Sequence, residues 1–146
     1  MIRTGSSMKF RHLFLSLLVV SLVSPAFAGT SQGWGNGGAF APYESKIAQE
    51  NASGELFRIQ GKCKSACTMF LGIRNVCVER DAKLYFHAGW EKGVITPAAT
   101  ARMTTMYNSA LRSYVTSNHF MDTREFHLIP GSVIISKFGY KECPKS

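Results

Sequence analysis

"GKCKSACTMFLGIRNVCVERDAKLYFHAG", residues 61–89, decides the fold class. Gly61 stops a short strand predicted over ELFRIQ (55–60), where Leu56, Arg58 and Gln60 alternate with Phe57 and Ile59. The run SACTMFLGI is apolar nearly all round, which predicts a buried helix of about two turns. NVCVE (75–79) reads as a strand, RDA as a turn, and KLYFH (83–87) as a second strand. Strand, helix and strand in this order predict an α/β domain whose crossovers pack on a small, mostly parallel sheet.

Upstream, AFAPYESKIAQENASG supports a helix, with Pro42 in its first turn, Tyr43, Ile47 and Ala48 at helical spacing, and Gly54 as its stop. The glycine-rich stretch over residues 29–36 predicts a flexible start, followed by a single domain over 37–146. Before it, Lys9, Arg11 and His12 precede an apolar run from Leu13 to Val23 and the small-x-small site Ala26-Phe27-Ala28. That is the layout of a secretory signal peptide over residues 1–28, and Met8 competes with Met1 as its start. The mature protein is then periplasmic or secreted, with no membrane span after cleavage.

Downstream, AGWEKGVI reads as a loop. Thr96 caps and Pro97 opens one long helix to about Thr116, with Ala99, Met103, Met106, Tyr107, Ala110, Leu111 and Tyr114 as its core stripe. Residues 117–130 read as irregular. GSVIISKFG predicts a last short helix ended by Gly139.

The net charge is +8, and falls by three to +5 once Arg3, Lys9 and Arg11 leave with the leader. No cluster of lysine and arginine interleaved with aromatics is present, which argues against a nucleic-acid partner. All four cysteines, Cys63, Cys67, Cys77 and Cys143, lie in the exported part. An even count in an oxidising compartment predicts two disulfides, with three pairings open. Loop-closure entropy favours a bridge to Cys143 as the stronger staple. The spacing C-x3-C-x9-C lacks a second knuckle and a well-placed histidine, so no metal or other cofactor is expected.

Ser65 stands at the turn from strand to helix, where the N–H groups of Ser65 and Ala66 and the positive helix end would face an oxyanion. His87 ends a strand and precedes Ala88-Gly89, at the sheet edge where open α/β folds place their sites. Read alone, Ser65 is a helix cap and His87 a packed or surface histidine. His119 and His127 fall in the irregular segment.

Taken together, GKCKSAC and RNVCVERDAKLYFHAG resemble the Clp-type serine peptidases of the ClpP/crotonase superfamily. In that family a turn G-x-x-x-S-small-small precedes a helix, a strand, a turn and a strand ending in the catalytic histidine. Gly61 and Ser65 match the turn, and His87 follows Ser65 by 22 residues, slightly fewer than is usual there. Gly37 and Gly38, 28 and 27 residues before Ser65, match a Gly-Gly pair that supplies an oxyanion N–H. The resemblance covers residues 36 to about 143. It implies a ClpP/crotonase-like fold built of βαβ units, Ser65 as nucleophile, His87 as base, and Gly37, Gly38 and Ala66 around the oxyanion. Asp122 lies where the family carries its acid, with Glu125 as substitute. The sequence departs from the family in three ways. Only residues 29–36 of the mature chain precede Gly37, where the family has further core strands. Cys63 and Cys67 replace small residues. Neither acid sits in a motif. The domain is minimal, truncated, or completed by a partner chain, including another copy of itself.

Two functions follow from this resemblance, and a third from the cysteines. The first is an exported serine hydrolase, peptidase-like, acting on a peptide or ester. The second is a catalytically inactive relative, serving as a disulfide-stapled periplasmic binding or scaffold protein. The third is a thiol–disulfide protein using Cys63 and Cys67.

Overall fold

A bend at Gln60 and Gly61 splits one extended run into two strands that join different sheets. The computed structural model describes Met1 and residues 29–145, and the expected signal peptide lies outside the described residues. Strand β1 (Phe57–Ile59) pairs in parallel with β3 (Val76–Val78). Strand β2 (Lys62–Lys64) pairs in parallel with β4 (Lys83–Phe86). Gly61 takes φ +62°, and bonds from Glu79 N–H to the Ile59 carbonyl and from Lys83 N–H to the Gly61 carbonyl carry the pairing across the bend. The expected strand, helix, strand order is present, and the molecule is a mixed α/β fold with small sheets.

The crossover is a 3-10 helix, Ser65–Gly72, rather than an α-helix. From Ala66 to Leu71 it is buried, so tertiary packing on all sides sets its winding in place of intrinsic propensity. Helix α1 (Phe40–Ser53) packs on it, bringing Tyr43 to 5.2 Å from Phe70, and ends at Gly54 with φ +70° as the glycine stop predicts. Phe57 also packs on Phe70, at 4.8 Å between ring centres.

The glycine-rich stretch expected as a flexible start is hydrogen-bonded to β1. Arg58 N–H donates to the Gly29 carbonyl at 2.8 Å, and Ser31 N–H to the Arg58 carbonyl at 3.0 Å. Trp34 sits edge-on to Tyr43 and Phe70, and the Tyr43 hydroxyl donates to its carbonyl at 2.7 Å.

Three downstream expectations change. The loop after His87 contains a hairpin, β5 (Trp90–Glu91) with β6 (Val94–Ile95). Lys92 and Gly93 turn it with φ +49° and +81°, the two positive values of a type I′ turn. The long helix is two, α2 (Pro97–Thr104) and α3 (Ser109–Ser117). Asn108 breaks it, because its side chain accepts from Leu111 N–H and caps α3. Arg112 folds back to donate to the carbonyls of Thr104, Thr105 and Tyr107, which satisfies the end of α2. The third change lies within the segment read as irregular, where β7 (His127–Pro130) pairs antiparallel with β4. The sheet order is therefore β2-β4-β7, with one parallel and one antiparallel pairing.

Helix α4 (Gly131–Phe138) ends at Gly139 as expected. The tail is pinned to β3 by the Cys77–Cys143 disulfide and by Cys143 N–H donating to the Val78 carbonyl. The second disulfide joins Cys63 to Cys67. Among the described residues no helix is long and apolar enough to cross a membrane.

Candidate functional site

The turn from β2 into the 3-10 helix puts Ser65 in a left-handed conformation, φ +54°. This is uncommon for a residue with a β carbon and costs on the order of 1–3 kcal/mol, so the surroundings must hold it. Three restraints do. The Cys63–Cys67 disulfide closes the chain around it. The Thr68 hydroxyl donates to the Ser65 carbonyl at 2.7 Å, and lies 2.6 Å from the Tyr107 hydroxyl, with Thr68 and Tyr107 both buried. Gly37 packs directly on Ser65: a Cβ there would lie 2.7 Å from both the Ser65 Cβ and the Lys64 carbonyl. Ser65 is thus not the helix cap that its local sequence predicts. Lys64 occupies that position, with no side-chain cap bond.

Residues 35–38 run beside β2, with Lys64 N–H donating to the Gly35 carbonyl at 2.9 Å. Of the two glycines expected at the oxyanion, Gly37 spends its N–H on the Trp34 carbonyl at 3.3 Å. Gly38 N–H has no hydrogen-bond partner among the described residues.

His87 follows the end of β4 and is 1% exposed. Its Nδ1 lies 2.6 Å from the Ala88 carbonyl oxygen. A carbonyl only accepts, so Nδ1 carries the proton in the neutral ring and Nε2 carries the lone pair. Nε2 is buried without a hydrogen-bond partner. The ring lies against Trp90 at 4.7 Å and meets the Phe126 ring edge-to-face at 4.8 Å. Burial pushes the imidazole below its ordinary value, the Ala88 carbonyl opposes that shift, and the nearby Arg124 charge adds to it.

Ser65, His87, Gly37 and Gly38 line one cleft of about 710 Å³. Residues 36–40 form one wall and residues 89–93, reaching to the hairpin tip, form the other. The structure therefore gathers four of the predicted site residues, spread over 50 positions from Gly37 to His87, into one place. Ala66 lies behind them, fully buried and outside the lining. Ser65 and His87 share the cleft without a hydrogen bond between them.

Asp122 does not join them. It sits exposed on a turn, its carboxylate 2.8 Å from His119 Nδ1. Glu125 is exposed as well, and His127 stacks on Phe120 at 4.3 Å. Cys63 and Cys67 are fully buried within their disulfide, closed to attack by an external thiolate.

Residues the sequence reading passed over complete the surroundings. Trp90 and Phe126 enclose His87, and each carries a cation on its face: Arg124 is 4.7 Å from the Trp90 ring centre, and Lys64 is 5.0 Å from that of Phe126. Arg124 also donates to the Gly93 carbonyl, which ties the hairpin down. Trp90 stands three residues after His87, a proximity signal that was available. Phe126 and Arg124 come from the irregular segment and gave none. No protein-family model, no curated protein and no solved structure matches this chain.

Proposed function

We propose that this protein is an exported serine hydrolase, peptidase-like, that works by acyl transfer through a Ser65–His87 dyad. The observation that carries the reading is a serine held at φ +54° in the same cleft as a neutral histidine whose Nε2 is buried and unpartnered. Nε2 takes the Ser65 hydroxyl proton as Oγ attacks a substrate carbonyl. Gly38 N–H, which has no hydrogen-bond partner among the described residues, receives the oxyanion. His87 then returns the proton to the leaving group, and water repeats the sequence on the acyl-enzyme. The dyad forms its Oγ–Nε2 bond around bound substrate, as such pairs often do. The Ala88 carbonyl takes over the orienting role expected of Asp122. It does so without a negative charge, so the rate falls short of a full triad by up to about 10⁴. The linked features Gly37-Gly38, Ser65 and His87, and the two parallel strand pairs, support a ClpP/crotonase-like arrangement.

A fluorophosphonate probe tests the reading. Covalent labelling of Ser65 is expected, and its loss in both Ser65→Ala and His87→Ala. A folded wild-type protein that takes no label overturns it. The second reading, a binding or scaffold protein without chemistry, is favoured by the missing Ser65–His87 bond and the missing carboxylate. Under that reading the cleft still binds ligand while Ser65 stays unlabelled.

A further inference from the structure

A dyad without an acid leaves an electrostatic demand unmet. As His87 takes the proton it becomes an imidazolium in a buried setting, and burial disfavours that charge. In a triad a carboxylate offsets it. Here Nδ1 faces a carbonyl, and the charge that acts on the ring, Arg124, shares its sign. Arg124 lies over Trp90 and Lys64 over Phe126, the two rings that touch His87. Lys92 stands in the cleft wall at the hairpin tip. Among the described residues none of these three cations has a carboxylate within ion-pair distance. The one carboxylate lining the cleft, Glu91, is held by Arg102, which also grips Glu44 at 2.7 Å.

Lys92 lines the cleft, and Arg124 and Lys64 sit outside its lining on the two rings packed against His87, so the three bias the potential there toward positive. A protein surface that served only solubility would gain nothing from holding two of them on the faces of the rings that enclose the base. Trp90 and Phe126 remain 36% and 44% exposed, so each still offers apolar surface beside the charges.

We infer that the cleft selects an acyl substrate bearing an anionic group next to its scissile carbonyl, bound at Lys92 with Arg124 and Lys64 behind it, and that this group supplies the negative charge the dyad lacks. The inference deepens the hydrolase reading and rests on it. The anion is not consumed. The Ser65 proton moves to Nε2, the Oγ–C bond forms, the bond to the leaving group breaks as Nε2 returns the proton, and water then regenerates the serine. A carboxylate and a phosphate meet the same demand.

Matched peptides test it. Acetyl-Ala-Asp-p-nitroanilide and acetyl-Ala-Asn-p-nitroanilide differ by one carboxylate on the residue that carries the scissile carbonyl, and acetyl-Ala-O-phosphoseryl-p-nitroanilide carries phosphate there instead. The anionic peptides are expected to exceed the neutral one in kcat/KM by about tenfold at low salt, with the gap closing as salt rises. Whichever anion leads identifies the source. Lys92→Glu should abolish the preference, while Lys145→Gln, in a different cleft, should keep it. Equal kcat/KM for charged and neutral peptides, or a preference that survives Lys92→Glu, overturns the inference while leaving the hydrolase intact. If no peptide is cleaved and Ser65 takes no probe, the hydrolase reading has failed by itself. Calorimetric titration of Ser65→Ala with the same peptides then still decides the charge selectivity: tighter binding of an anionic peptide keeps it, and equal or absent binding ends it.

Discussion

The carbonyl oxygen of Ala88 lies 2.6 Å from Nδ1 of His87, so the backbone of the next residue sets the imidazole tautomer. The lone pair therefore sits on Nε2, which is buried without a partner, in a residue that lines the same cleft as Ser65. Tautomer control and charge compensation, which one carboxylate provides in a full triad, are separated here.

His87 predicts a pH signature. Its value is lowered chiefly by burial, so the ring stays neutral below its ordinary value of about 6.5. The acid limb of kcat/KM should fall below that pH. The sign for stability is the same. The unfolded chain binds the proton first, so His87's contribution is complete above about 6.5 and is lost as pH falls toward the folded value. Urea midpoints measured from pH 7 to 5 should decline, and the decline should shrink in His87→Asn.

Ser65→Gly separates strain from chemistry. Glycine adopts φ +54° freely, so this variant should be as stable as wild type or better, by up to about 1 kcal/mol. Ser65→Ala keeps the Cβ and should show no such gain. Both lose the nucleophile. Calorimetric melting of the three proteins gives the comparison, and a Ser65→Gly protein that melts well below Ser65→Ala would contradict the account of the turn.

Gly37→Ala tests the close approach. The added methyl would lie 2.7 Å from the Ser65 Cβ and from the Lys64 carbonyl, at a residue with φ +74°. A loss of roughly 1–3 kcal/mol is expected, together with loss of Ser65 labelling. Gly33→Ala, also at positive φ but with open space around its Cβ position, should destabilise without touching the label.

The Thr68 and Tyr107 hydroxyls form a buried pair under the site. Thr68→Val strips the Ser65 carbonyl of its donor and strands the Tyr107 hydroxyl, costing about 1–3 kcal/mol. Tyr107→Phe leaves the Thr68–Ser65 bond in place and should cost less. The double variant should recover part of the Thr68→Val loss, because no hydroxyl is left stranded. Chemical denaturation of the four proteins closes the cycle.

The two disulfides should differ in worth. Cys77–Cys143 spans 66 positions and Cys63–Cys67 spans 4, so the chain-entropy argument gives about 4 kcal/mol for the first and about 2 for the second. Cys143→Ser with Cys77→Ser should lower the melting point more. Cys63→Ser with Cys67→Ser should act chiefly on Ser65 reactivity.

Much of the fold was legible because it rests on local signals. Phe57 and Ile59 alternate, Gly54 and Gly139 stop their helices at positive φ, and SACTMFLG has no polar face to turn outward. Other elements hid because their reasons are non-local. β7 shows a single buried residue, Ile129, and ends in Pro130, so nothing in HLIP announces a strand; it forms because β4 offers an open edge. The stripe from Ala99 to Tyr114 keeps helical spacing through a real break, because Arg112 and Asn108 satisfy the ends that the break exposes. The type I′ turn was masked by Lys92, where asparagine or glycine is the usual sign.

The site divides the same way. The amino-acid sequence alone determined that a serine lies between two cysteines, that a histidine follows it by 22 residues, and that a glycine pair lies upstream, since each is a matter of residue type and spacing. Only the tertiary structure decided that Ser65 is a left-handed residue and no cap, that Asp122 pairs with His119 instead of His87, and that Arg124 and Lys64 lie on the rings packed against the base. The reason is physical: a backbone angle and a charge environment are set by what packs against a residue, and those partners come from elements far away in the chain.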